Sequence, residues 1–320
     1  MQLNQVFTLT PKIQSLLNIL EGQKTALSLL SANKTMIENF RRSTITDASH
    51  FSVKIEGIEV DTELGKLAVQ NLEKVHTWLY SDFQGKLLDL SLLKTAHDMA
   101  FNNLRLDKGQ FRTTQSAVFN SAGEAIYLTP NPHEIIPFLE YWLKQITYSS
   151  HHPAIQAIIS MYQLEKIAPF TAGNGRICRI IFRLQLKESN FDFEGILKIE
   201  SAFYENIGDY MRHLHSIDQD ITGFVEYCLE LLTSSAASAL HSIASPIHSK
   251  KNPISLLPRR QEILNTIKDH SPCNFDFIQR RFMAVPASTI RYDLLKLQKD
   301  GYIKKLGVTN GALYSSLPTE

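Results

Sequence analysis

A glycine-rich turn runs directly into a line of arginines at Gly173-Asn174-Gly175-Arg176, with Arg179 and Arg183 following. The first backbone N–H groups of a helix have no internal partner, and two glycines leave an anion room to approach them. The three arginines lie three and four residues apart, so all can reach from one side of a helix toward one place. A guanidinium suits phosphate because its planar fork donates two parallel hydrogen bonds. The chemistry on offer is therefore phosphate binding. A tight turn followed by solvated arginines is the other reading, and the helical spacing of the arginines favours the first. The stretch has no Gly-Lys-Ser/Thr ending and opens no βαβ unit, so neither common nucleotide fingerprint applies.

Two helices must hold this turn. Upstream, Ile155, Ile158, Ile159, Tyr162 and Leu164 recur at helical spacing until Pro169 ends the run; downstream, Ile177, Ile180, Ile181, Leu184 and Leu186 fit a buried helix starting near Asn174 or Gly175. A second chemical signal lies far earlier, where Ser52 and Glu56 share a helix face and Gly57 supplies a left-handed C-cap. A glutamate in a last helical turn opposes the macrodipole, so it needs a cationic partner or full solvation. Around these motifs, 11–40 reads as N-terminal helices and 87–99 as another. Residues 113–119 and 125–128 read as a hairpin, and 135–143 as a further helix. Tyr204, Tyr210 and Leu214 fall in a helical region, 196–245, where aromatic core packing is the plain explanation. Residues 234–255, rich in Ser, Ala and Pro, read as a linker after a frayed helix.

Composition narrows the classes. A chain of 320 residues implies about two domains. A net charge of +1 gives no global attraction to nucleic acid, so any such partner needs a local basic patch. No stretch approaches the apolar length of a membrane span and the first residues lack a signal pattern, so the expectation is a cytoplasmic chain with no membrane partner. Cys178, Cys228 and Cys273 are odd in number and far apart, as reduced thiols would be, and Cys178 receives no role. The pairs His151-His152 and His213/His215 are spaced so that neither chelates a metal from one helical face, and no metal site is expected.

At Pro169, Phe170, Gly173, Asn174, Gly175, Arg176 and Arg179 the chain resembles the signature loop of the Fic family, His-Pro-Phe-x-Asp/Glu-Gly-Asn-Gly-Arg-x-x-Arg, matching seven of nine specified positions. The resemblance implies transfer of AMP from ATP to a protein hydroxyl. It puts Gly173, Asn174 and Gly175 on the α- and β-phosphates, Arg176 and Arg179 on the β- and γ-phosphates, Phe170 in the core and Tyr210 beside the adenine. It also implies a target protein that adds a strand to the hairpin flap, after a Gly-x-x-Arg at Gly109 and Arg112. Ser52, Glu56 and Gly57 are similar to the family's inhibitory motif in the class that carries it N-terminally, where the glutamate pairs with the second loop arginine, here Arg179. Both mismatches fall on the chemistry. Ala168 stands where the family has its histidine base, and Ala172 where it has the acidic metal ligand. Mg²⁺ would then arrive on the phosphates of ATP. Loss of the base alone costs about two to four orders of magnitude in rate, so the chain is expected to bind nucleotide better than it turns it over.

Beyond a linker at 246–256, residues 257–320 read as three short helices and a hairpin around Thr309-Asn310-Gly311, which resembles a winged helix-turn-helix. Ten basic residues there against six acidic ones admit DNA as a partner, with Ser288, Thr289, Arg291 and Tyr292 on the reading helix and Asp293 as a repelling charge beside it. The expected architecture is mainly α: N-terminal helices with the inhibitory motif at 1–85, a Fic helical core with a β-hairpin flap at 86–245, and the winged helix at 257–320. The leading expectation is an adenylyltransferase restrained by Glu56 and inactive or only nucleotide-binding as written. The alternative is a nucleotide-responsive DNA-binding regulator.

Overall fold

In a computed structural model, describing residues 5–30, 34–81, 88–119, 125–244, 257–299, 301–307 and 312–316, the chain is mainly helical and divides into two compact units, residues 1–245 and 246–320. The first unit begins with α1 (Pro11–Leu29), α2 (Lys34–Ile55) and α3 (Glu63–Ser81), followed by α4 (Leu90–Ala100). Thr10 caps α1, its hydroxyl accepting the Ile13 N–H, with Pro11 at the first helical position where no donor is needed. Asp89 caps α4 in the same way. Among the described residues no helix is long and apolar enough to cross a membrane.

Strands β1 (Ala117–Phe119) and β2 (Ala125–Leu128) pair antiparallel, with Ala117 opposite Leu128 and Val118 opposite Tyr127. The turn expected to join them, 120–124, lies outside the described residues. Then come α5 (Ile135–Thr147), α6 (Pro153–Ile167), α7 (Asn174–Glu188), α8 (Ile199–Glu205), α9 (Ile207–Leu214) and α10 (Thr222–Ala244). One apolar core runs from Ile13 on α1 to Ile243 on α10, through Leu72, Leu93, Ile158, Ile181 and Leu229. The N-terminal helices thus share a core with the rest of the unit.

Helix α10 corrects the linker reading of 234–255, because it continues to Ala244 with Ala236, Ala239 and Ile243 buried. Its serines bond back within the helix, Ser238 to the Ser234 carbonyl and Ser242 to the Ser238 carbonyl. Small residues are what a close helix pairing admits, and Gln23 of α1 donates to the Thr233 carbonyl across it. Residues 245–256 lie outside the described residues.

Beneath α7, helices α3 and α8 trap a charge pair. Arg183 donates from Nε to Glu200 Oε1 at 2.7 Å, from Nη2 to Glu200 Oε2, and to the Leu197 carbonyl, all in the interior. His76 on α3 lies beside this pair; burial, helped by the Arg183 charge and opposed by Glu200, pushes its pKa down to about 4. The folded chain therefore holds His76 neutral, while an unfolded imidazole takes a proton near pH 6.5. Its contribution to stability is complete above about pH 6.5 and is lost as pH falls toward 4, a loss of roughly 3 kcal/mol. Urea titrations should show the midpoint dropping over that window, and a His76→Gln protein should show a shallower drop.

The second unit contains α11 (Pro258–Asp269), β3 (Cys273–Asn274), α12 (Phe275–Arg281), α13 (Ala287–Lys299), β4 (Ile303–Leu306) and β5 (Leu313–Ser316). Ile263, Ile267, Ile278, Ile290, Leu294 and Leu297 form its own core. The three strands run β3-β5-β4, antiparallel throughout. The short β3 was not expected from sequence, because two residues carry no alternation to read. Asp293, expected as an exposed repelling charge, is instead buried on α13 and receives Arg259 Nε at 2.6 Å and Arg260 Nε at 2.7 Å. Burial opposes its charge, but the two guanidinium bonds prevail and its pKa is lowered.

Candidate functional site

Helix α6 stops at Ile167, and Ala168 caps it in the left-handed region at φ 43°, so the chain reverses into the glycine turn. Gly173 is also left-handed, at φ 75°, as the N-cap of α7. No other residue fits there. A Cβ would fall 1.9 Å from the Phe101 ring. Asn174 closes the loop on itself: its Oδ1 accepts the Phe170 N–H and its Nδ2 donates to the Phe170 carbonyl, both at 2.9 Å. Phe170 is buried, so the loop hangs from the core by its ring.

At the start of α7, where the sequence predicts an anion cradle, sits a carboxylate of the chain itself. Glu56, in the turn after α2 with Gly57 at φ 72°, accepts the Arg176 backbone N–H at 3.1 Å on Oε1 and Arg176 Nε at 2.7 Å on Oε2. Arg179 is 3.5 Å from Glu56 Oε1. Its firmer bonds go to Ser52, from Nε to the hydroxyl at 2.9 Å and from Nη2 to the carbonyl at 2.8 Å. The glutamate thus bonds first to Arg176, where the resemblance placed it on Arg179. Both guanidinium groups are buried, at 4% and 2% exposure, although they belong to a turn that reads as polar. Arg176 Nη1 is buried without a hydrogen-bond partner among the described residues. An unpaired interior donor at the start of a helix is a place for an acceptor.

Arg183 departs from the convergence expected of it and is committed to Glu200. Tyr210 is buried, its ring stacked on Phe203 at 4.3 Å, and its hydroxyl lies near Arg179. It packs as a core residue. Cys178 is buried, and burial with the neighbouring Glu165 pushes its thiol well up, leaving it unreactive.

Several residues at the site gave no signal in sequence. Glu165 lies near Cys178 and Arg179, and burial raises its carboxyl. Lys166 donates to the Ser216 carbonyl at 2.7 Å with its ammonium over Tyr127 and Tyr162, and burial lowers its pKa to about 8. Lys166, Tyr127 and Tyr162 wall a cavity of about 330 Å³ between β2, α6 and residues 216–219. Arg112 is buried and donates to the Ala168, Ile167, Thr114 and Pro130 carbonyls, fastening the hairpin root to the loop entry.

The cradle suits phosphates, since among the described residues Arg176 Nη1 has no hydrogen-bond partner and the Arg176 N–H already holds a carboxylate. A metal held by the protein fits less well, because Ala172 has no side-chain oxygen to offer and, among the described residues, no three His, Cys, Asp or Glu side chains converge.

Residues 87–186 match the family model of the Fic/DOC family. The chain is similar over 97% of its length to 97% of a Fic family protein from Desulfovibrio desulfuricans, with a TM-score of 0.64 and 18% identity. It is also similar to a Fic domain containing signaling protein from Bacteroides thetaiotaomicron, at TM-score 0.58 and 14% identity, over 75% of this chain and 100% of that one. Fic-1 from C. elegans aligns over 72% of each chain at TM-score 0.61 and 19% identity. The matched residues span the hairpin, the glycine turn and nearly all of α7, and residues 87–186 of the chain form a Fic/DOC domain.

Proposed function

We propose that the chain binds the phosphates of ATP or ADP in the cradle of Gly173, Asn174, Gly175, Arg176 and Arg179, and that Glu56 restrains it by filling the anion position. The observation that supports this reading is the Glu56 carboxylate on the Arg176 N–H and guanidinium, an internal anion where a phosphate oxygen would sit. Proteins of this family generally transfer AMP to a protein hydroxyl. In that reaction the hydroxyl oxygen bonds to the α-phosphorus, the bond to pyrophosphate breaks, and a base takes the hydroxyl proton. Ala168 has no group to take it, so binding outlasts turnover here. A target segment would add its strand to the hairpin edge, and Mg²⁺ would come bound to the nucleotide rather than to this chain.

ADP calorimetry tests the site. Glu56→Gly should tighten binding, and adding Arg176→Ala should weaken it about 10- to 100-fold, the range of a lost hydrogen bond to a charged group. Equal affinity with and without Arg176 would remove the cradle from consideration.

The three helices and antiparallel strands of the second unit support a winged helix. The DNA-binding rival draws less support, since Arg259 and Arg260 are both paired with Asp293 and α13 exposes Tyr292 and Leu295. A protein-interaction role suits that face better.

A further inference from the structure

The cradle has two supports in different parts of the loop, Phe170 and Arg176, and α4 holds both through one column of stacked groups. The Phe170 ring lies 3.9 Å from the His97 imidazole at 7°, and the imidazole lies 4.5 Å from the Phe101 ring at 23°. The Arg176 guanidinium then lies 4.6 Å over Phe101. Two hydrogen bonds fix the imidazole edge: Nε2 is 3.1 Å from the Ala172 carbonyl, and Nδ1 is 2.9 Å from the Gly109 nitrogen. A carbonyl can only accept and a backbone N–H can only donate. One protonation state satisfies both, the neutral ring with its proton on Nε2.

We infer that His97 is a positioning residue for the anion cradle: its neutral Nε2–H form fixes the Ala172 carbonyl, and with it the N–H groups that follow, and protonation of the ring loosens them. The consequence for nucleotide rests on the binding reading given above; the consequence for the loop does not. A proton on Nδ1 would face the Gly109 N–H donor and break that bond. The charged groups nearest the ring are Arg105 and Asp107, paired with each other, Arg176, and Asp98 next to it in the chain, paired with Lys108. Burial favours the neutral ring, opposed in part by the bond to Ala172. The working form therefore persists at neutral pH and is lost in acid.

Two measurements separate the loop from the ligand. Amide hydrogen exchange over 168–176 in the ligand-free protein reads positioning alone; ADP calorimetry in the Glu56→Gly background reads its effect. His97→Leu should speed exchange in that segment about tenfold while α1 and α10 stay unchanged, and should weaken ADP by about tenfold, the scale of one buried hydrogen bond. His97→Gln keeps a donor for the Ala172 carbonyl and should recover part of both. As pH falls from about 6.5 to about 4.5, ADP affinity should drop further with His97 present than in His97→Gln, which does not titrate. Titration of the ADP phosphates affects both proteins alike and cancels in the comparison. Unchanged exchange in both variants, or identical pH profiles, would overturn the inference. Faster exchange with no ADP binding in any variant would overturn the nucleotide reading and leave the positioning role standing.

Discussion

The Glu56→Gly/Ala168→His protein should transfer AMP to itself or to a lysate protein about two to four orders of magnitude faster than Glu56→Gly alone, the usual contribution of a placed general base. The backbone is ready for the change. Position 168 already sits in the left-handed region, which histidine tolerates better than most residues, and Arg112 holds its carbonyl at 2.8 Å. Releasing Glu56 is also needed, because the carboxylate occupies the Arg176 backbone N–H and its Nε. Intact mass spectrometry with ATP and Mg²⁺ reads the outcome as a mass gain of one AMP. A double variant that binds ADP but transfers nothing, even with Ala172→Asp added, would leave a binding protein and end the transferase reading.

Glu200→Ala should cost about 3–5 kcal/mol of stability, since it strands the Arg183 charge in the interior. Arg183→Met with Glu200→Met should cost far less, because the pair leaves together and apolar volume replaces it. Denaturant unfolding measures both, and equal losses in the single and double variants would show that the pair carries no special cost. The ADP site should feel the single change as well, because Arg176 and Arg183 ride on the same helix.

The glycine turn and its two helices were legible in the sequence because their signals are local: a glycine pair, a proline, and apolar residues at helical spacing. The match of Glu56 to the loop across about 120 positions was legible only through family resemblance. Arg183 was misread for a geometric reason. It shares a face with Arg176, but seven residues of helix carry it about 10 Å along the axis, beyond reach of the helix start. The stack of Phe170, His97, Phe101 and Arg176 could not be read, because its members come from two distant segments and each alone looks like ordinary packing. Asp293 was misjudged because a carboxylate on a short helix reads as exposed until two arginines from α11 are seen to meet it.

Arg112 ties the root of the hairpin, through Thr114 and Pro130, to the last carbonyls of α6 at Ile167 and Ala168, while its own N–H donates to Pro169. Mechanically the hairpin is a beam clamped at its base. Such a beam keeps a constant distance between each point on its lower edge and the clamp, so it works as a ruler. Any strand laid along β1 or β2 would be measured against residue 168, and the residue presented there would be set by register along the beam, whatever the strand's sequence.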